Sequence, residues 1–363
     1  MRAVFRVDGS TRMGTGHVIR CLTLAGILRE RGHECLFVHR IQPGHMAGMI
    51  RNRGFPVYEL SEIDPAPGNP GQEGHGHWLG VSPARDSQET RELLQELTTD
   101  LLVVDHYAID SSWEAQLREK APKILVIDDL ADRPHDCDFL VDQTYGRQER
   151  EYRPLVPGNC EILTGAHYAL LREEFASLRE KALARRDRPN HGIERVLVSM
   201  GGSDPENVTE RAIQGIVLSG QSVSIDVMLG GEAPHLKTLV KKWEAQPGIH
   251  FHVDTSDVAR LMAIADIAVG AGGTTSWERC CMGLPTLSAI AAENQRVIVQ
   301  SLASKGAVHN LDEVGKGFEA RVSKSLNSFF EDSRRLHSMS LAARKVCDGH
   351  GAERIADRIA QSN

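Results

Sequence analysis

The chain has 363 residues, more than one hydrophobic core usually serves, so two domains are expected. Its formal charge of −7, with acidic and basic residues interspersed, argues against non-specific binding to nucleic acid or to an anionic membrane surface. No apolar run approaches the roughly 18 residues of a membrane span, the N-terminus lacks a signal-peptide core, and the seven scattered cysteines contain no CxxC pair. Reduced thiols in a cytoplasmic protein are the simple expectation.

In the first half, strands are predicted at Ala3–Val7, Glu34–His39, Leu101–Asp105, Ile124–Ile127 and Phe139–Asp142. Amphipathic helices such as Ser87–Leu97 and Ser112–Glu119 fit between them. This alternation implies parallel strands with right-handed crossovers in a doubly wound α/β sheet. A charged helix and a Pro- and Gly-bearing linker follow, placing the join near Ala184–Ile193. The alternation then restarts with "RVLVSM", "VSIDVML", "IHFHV", "DIAVGA" and "PTLSAI", and the chain closes in helices broken at Asp348–Gly351. The expected domains are 1–188 and 189–363. The segment Asp64–His77, rich in Pro and Gly, reads as a loop, and His75 and His77 on it could bind a metal, though two histidines on a loop more often bind nothing.

Three glycine turns follow strands and open helices: Gly14–His17, Ser199–Thr209 and Gly270–Pro285. In such sheets ligands bind beyond the carboxyl ends of the strands, and a helix start offers free amides to a phosphate. A dinucleotide fingerprint is excluded because Ile19 stands where its third glycine belongs, and there is no P-loop. Thr275 and Glu278 have the spacing of a capping box, so Glu278 reads either as a cap or as an acceptor for ribose hydroxyls. Glu293–Gln295 supplies amides near the next strand, and His106 and Tyr107 follow another strand at the ligand edge. The acid-rich Ile127–Gln143 reads as turn chemistry rather than a metal site. His17 reads either as a packed turn residue or as a base.

The segments "DGSTRMGTGHVIRCLTLA", "WLGVSPARDSQET", "VVDHYAID", "IDDLADRPHDCDFLVDQ", "YALLREEF", "SMGGSDPEN" and "GGTTSWERCCMGLPTL…AENQ" occur in one order and spacing over about Met1 to Gly306. In these the chain resembles the UDP-2,4-diacetamido-2,4,6-trideoxy-β-L-altropyranose hydrolases of pseudaminic acid biosynthesis. The resemblance implies a GT-B arrangement, two Rossmann-like domains facing across a cleft, with a UDP-sugar held mainly by the second. It implies that His17 is catalytic, at the turn formed by Gly14 and Gly16. Gly272, Gly273 and Thr274 would meet the diphosphate, Glu278 the ribose, and Gly201, Gly202 and Ser203 the diphosphate or uracil, with Thr275 a further substrate-binding residue. Tyr107, Arg172 and Asn294 would line the sugar end, and the Gln295 amide would meet the sugar or the phosphate. The chain has Thr144 where the family usually has Asn.

The implied reaction is attack of water on the anomeric carbon, with inversion, releasing UDP. Departing UDP needs little protonation because its phosphoryl group has a second pKa near 6. One base therefore suffices where ordinary glycosidases use two carboxylates. The positive end of a helix disfavours an imidazolium, which suits a histidine acting as base. No metal or cofactor is implied, and the expected state is a monomer whose partner is the small-molecule substrate. Alternatives are a GT-B glycosyltransferase, a hydrolysing UDP-sugar epimerase, or a non-catalytic UDP-sugar-binding protein.

Overall fold

The computed structural model describes residues 1–10, 13–63, 75–188 and 192–362. The chain divides into two units, Met1–Leu170 with His350–Asn363, and Leu171–Gly349. Most of the Asp64–His77 loop lies outside the described residues; its end forms a 3₁₀ turn, His75–Leu79.

Unit 1 runs β1 (Arg2–Val7), α1 (Gly16–Glu30), β2 (Glu34–Arg40), α2 (Ala47–Asn52), β3 (Val57–Leu60), α3 (Pro83–Gln95), β4 (Leu101–Asp105), α4 (Ser111–Ala115), β5 (Lys123–Ile127), β6 (Phe139–Asp142), α5 (Glu149–Tyr152) and β7 (Glu161–Thr164). The seven strands are parallel, in the order β3-β2-β1-β4-β5-β6-β7. Both faces of the sheet are covered, so its inner strands are apolar nearly throughout. Phe5, Phe37 and Val103 pack with Leu24 on one face, and Val4, Val38 and Val126 pack with Trp113 on the other.

Unit 2 opens with α6 (Glu173–Arg186) and continues β8 (Arg195–Ser199), α7 (Val208–Leu218), β9 (Ser224–Leu229), α8 (Leu236–Trp243), β10 (Ile249–Val253), α9 (Val258–Ile264), β11 (Ile267–Ala271), α10 (Thr275–Cys281), β12 (Thr286–Ile290), α11 (Arg296–Ser304), β13 (His309–Glu313), α12 (Phe318–Glu331) and α13 (Ser333–Ala343). Its six parallel strands lie in the order β10-β9-β8-β11-β12-β13. The last helix, α14 (Gly351–Gln361), returns to unit 1.

The division therefore differs from the expected 188/189 at both ends. α6, read as a linker helix of the first domain, is anchored in unit 2 by its arginines. Arg179 donates to the carbonyls of Cys281, Cys347 and Arg344, and Arg186 to those of Met262 and Ala265. α14, expected in the second domain, buries Ala352, Ile355, Ala356 and Ile359 in the core of unit 1 beside α1. Arg31 pairs with Asp357 at 2.8 Å, and Arg354 donates to the His167 carbonyl.

Each sheet reverses strand order between two central strands, β1 and β4 in unit 1, β8 and β11 in unit 2. Loops diverge there and leave room for a ligand at the carboxyl edge.

Ile355 is fully buried. Ile355→Ala should lower the stability of unit 1 by about 2–4 kcal/mol through the cavity it leaves. Urea denaturation checks this; an unchanged midpoint would place α14 outside the core.

Candidate active site

At the switch point of unit 1, β1 ends and the chain turns through Gly14, whose amide donates to the Ser10 carbonyl at 2.8 Å. Gly14 has φ +75°, a left-handed conformation that favours glycine. The turn delivers Thr15 as N-cap of α1, without a side-chain cap bond and with no acid in the first turn of the helix. His17 is the second residue of that helix and only 7% exposed.

Parallel pairing sets Asp105, the last residue of β4, beside Val7. Asp105 Oδ1 lies 2.6 Å from His17 Nδ1. One turn along α1, Arg20 donates through Nε to Asp105 Oδ2 and through Nη2 to Oδ1, both at 2.6 Å. Burial pushes the Asp105 carboxyl up, but Arg20 and His17 outweigh it and hold Asp105 well below the usual carboxylate range. An ionised Asp105 accepts from Nδ1–H, leaving the lone pair of His17 on Nε2. Arg20 Nη1 donates to Asp129 Oδ2 at 3.0 Å, and the Tyr107 hydroxyl donates to Asp129 Oδ1 at 2.6 Å. The Tyr107 ring stands edge-on to His17, with centroids 4.7 Å apart.

Asp105, Arg20 and Asp129 escape sequence reasoning. The available signals are an acid closing a strand and an arginine three residues after the histidine. His106, expected at the ligand edge with Tyr107, instead turns inward. Its Nδ1 accepts from the Ala108 amide, its Nε2 lies 3.5 Å from Asp8, and burial lowers its pKa to about 4. Below it, Asp8 pairs with Arg6, and Asp86 accepts from Arg6, Arg40 and the Trp113 indole. Asp86 in the "ARDSQET" segment thus holds the sheet to α3 and α4.

The acid-rich segment is likewise occupied. The Tyr152 hydroxyl lies 2.8 Å from Asp128 and 2.9 Å from Asp142, its one proton shared between them, Arg133 pairs with Asp128, Arg147 with Asp142, and Arg118 with Asp136 and Asp138. Thr144 donates its amide to Asp142 at 2.7 Å. Among the described residues no group of three or more His, Cys, Asp or Glu could hold a metal ion.

In unit 2 the glycine turns have different fates. Gly201, Gly202 and Ser203 are exposed beyond β8. The start of α7 behind them is filled, because Asp204 accepts from the amides of Val208 and Thr209 at 2.9 and 2.8 Å. Gly272 does not offer the donor expected of it: its amide bonds to the Ala289 carbonyl at 3.1 Å. A Cβ there would lie 2.2 Å from Val299, so close packing requires this glycine. The amides of Gly273, Thr274 and Thr275 and the Thr274 hydroxyl have no acceptor among the described residues.

α10 starts at Thr275 with Thr274 as N-cap and no side-chain cap, so the capping box of Thr275 and Glu278 does not form. Glu278 lies 3.9 Å from Arg172, and its side chain is 18% exposed. Burial, opposed by Arg172 and Arg279, raises the Glu278 pKa to about 7. Arg172 is the N-cap residue of α6 and pairs with Glu174 at 2.9 Å. Of the three residues expected together at the sugar end, Tyr107 belongs to unit 1, Arg172 and Asn294 to unit 2, and Arg172 sits with Glu278. Asn294 is exposed, whereas the Gln295 side-chain oxygen is taken by the Ala291 amide at 3.0 Å.

No family model matches the chain. The UDP-2,4-diacetamido-2,4,6-trideoxy-β-L-altropyranose hydrolase of Campylobacter jejuni is 28% identical over 263 residues, 72% of this chain and 81% of that protein. The chain resembles that hydrolase. The spore coat polysaccharide biosynthesis protein SpsG of Bacillus subtilis is 26% identical, covering 84% of this chain and 81% of its own. Among solved structures, MurG of Acinetobacter baumannii superposes with a TM-score of 0.66 at 14% identity, over 99% of both chains. A UDP-GlcNAc 2-epimerase from Neisseria meningitidis bound to UDP-GlcNAc gives 0.66 at 12% identity, over 99% of this chain and all of its own. The fold is that of the GT-B proteins. Among the described residues no helix is long and apolar enough to cross a membrane.

Because the Glu278 carboxyl is raised in the folded protein, the stability it contributes is present below the unfolded pKa and is lost as pH rises through about 7. A rise from 4.5 to about 7 corresponds to about 3 kcal/mol at about 1.4 kcal/mol per unit. Glu278→Gln should therefore gain up to that amount relative to the parent between pH 4.5 and pH 8. Chemical denaturation at both pH values measures it, and a constant difference would show that Glu278 titrates normally.

Proposed function

We propose that the protein hydrolyses a UDP-sugar to the free sugar and UDP. The proposed substrate is UDP-2,4-diacetamido-2,4,6-trideoxy-β-L-altropyranose, in the formation of pseudaminic acid. The observation that carries this reading is the His17–Asp105 pair at a ligand edge, taken with the similarity to the Campylobacter hydrolase.

Asp105 fixes the ring and its tautomer, and Nε2 accepts a proton from water. The water oxygen bonds to the anomeric carbon while the bond from that carbon to the phosphate oxygen breaks, its electron pair leaving with UDP. Attack from the face opposite UDP inverts the centre. The free amides of Gly273, Thr274 and Thr275 and the Thr274 hydroxyl meet the diphosphate, and Glu278 meets the ribose. Glu278 serves best ionised, so nucleotide affinity should strengthen as pH rises through about 7.

With substrate in H₂¹⁸O, the label should enter the sugar and not UDP. Label in UDP would mean attack at phosphorus, and a 2-epimer or a transferred sugar in place of free sugar would overturn hydrolysis. His17→Asn should keep UDP affinity and lose about 10²–10⁴ in turnover, the usual worth of a positioned base.

Asp105→Asn separates orientation from mere burial. An amide can donate to Nδ1 and so place the ring proton on Nε2, where it blocks base catalysis. The expected result is a turnover loss of about 10²–10⁴ at unchanged UDP affinity, as for a removed base. Turnover near that of the parent would reduce Asp105 to a partner of Arg20.

A further inference from the structure

At the amino edge of the unit 2 sheet, a cavity of about 300 Å³ opens where α6 ends and α13 begins. Its lining includes Arg186, Arg188, Arg334, His337, Asp187 and Asp266. Asp266 immediately precedes β11, whereas Gly273–Thr275 follow β11, so the cavity and the nucleotide turns lie at opposite ends of that strand.

Both carboxylates in the wall already have their counter-charges. Asp187 is held by Arg344 through two bonds of 3.0 and 2.7 Å, with His337 at 3.8 Å. Asp266 accepts from Arg185 and from the amides of Glu194 and Arg195, each at 2.8 Å. The arginines of the lining have no such match. Arg186 is 4% exposed, and among the described residues its guanidinium meets only the carbonyls of Ala182, Met262 and Ala265. Its Nε is buried with no acceptor among the described residues. Burial lowers its pKa to about 9, with Arg185 and Arg344 adding to that effect and Asp266 opposing it. Arg188 pairs with no carboxylate among the described residues, and Arg334 comes no nearer than 4.0 Å to Asp332. The amides of Arg334 and Arg335 at the start of α13 are already taken by Asp332, so side chains supply the charge.

A buried donor without an acceptor and an excess of guanidinium charge around an open volume are complementary to a small polyvalent anion. We propose that this cavity binds a phosphate-class oxyanion, held by Arg186, Arg188 and Arg334. The site is independent of the nucleotide turns, and the proposal stands or falls apart from the hydrolase reading.

Inorganic phosphate is the probe. Calorimetric titration of the full chain, with UDP present in excess to occupy any diphosphate site, should show saturable binding at one site, and chloride at equal ionic strength should not reproduce it. The double variant Arg188→Gln/Arg334→Gln removes side chains at the mouth and leaves the buried Arg186 in place. It should bind phosphate about tenfold or more weakly, as loss of charge-assisted bonds requires. In the parent alone, phosphate should raise the melting temperature above that in chloride. Absence of saturable binding, or equal affinity in the double variant, overturns the proposal.

Discussion

The buried carboxylate of Asp105 is the constraint on which the first unit's site depends. Alone in that position it would take up a proton, because burial disfavours the charge. Arg20 prevents this with two bonds from one guanidinium, and the carboxylate that remains ionised holds the Nδ1 proton of His17. Three separate pieces of local structure must agree for this. The β1–β4 register brings Asp105 level with Val7, the Gly14 turn starts α1 close to the strand end, and the helical spacing carries Arg20 back to the same carboxylate.

The second unit shows that a glycine turn does not by itself define an anion site. Two such turns flank its switch point, and the partner of each amide distinguishes them. At α7 an internal anion, Asp204, already occupies the helix start. At α10 the amides of three successive residues have no acceptor among the described residues, while the neighbouring Gly272 serves close packing. The same residue type is there for unlike reasons, and only the hydrogen-bond pattern separates them.

Much of this was legible in the sequence. Buried parallel strands are continuous apolar runs, so the central strands of both sheets could be read directly, and so could the placement of His17 at a turn entering a helix. What could not be read depends on contacts between distant segments. α6 has the charge pattern of a solvated linker, yet Arg179 and Arg186 reach carbonyls about 80 to 170 residues away. α14 follows a break between helices that reads as a late detail of the second domain, but its apolar stripe matches α1. The Thr275–Glu278 spacing fits a capping box, but α10 begins a residue too early for it. Asp105 was hidden because an acid closing a strand is so common at turns that only its partners reveal its role.

Those partners also bear on the choice of leaving group. A glycosidase expelling an alkoxide needs a protonated acid beside its base. The carboxyls around His17 are unsuited to that task. Asp8 and Asp105 are held below the usual carboxylate range by Arg6 and Arg20, and Asp129 already accepts from Arg20 and Tyr107. His106, the other imidazole nearby, is neutral and buried against Asp8. Tyr107 is raised far above the ordinary phenol by burial and by Asp129, so its proton stays in that bond. Under the proposed reaction His17 Nε2 accepts a proton, and none of these groups is ready to give one. Such chemistry suits a substrate whose leaving group departs as a stable anion, as a nucleoside diphosphate does, and disfavours an alkyl glycoside.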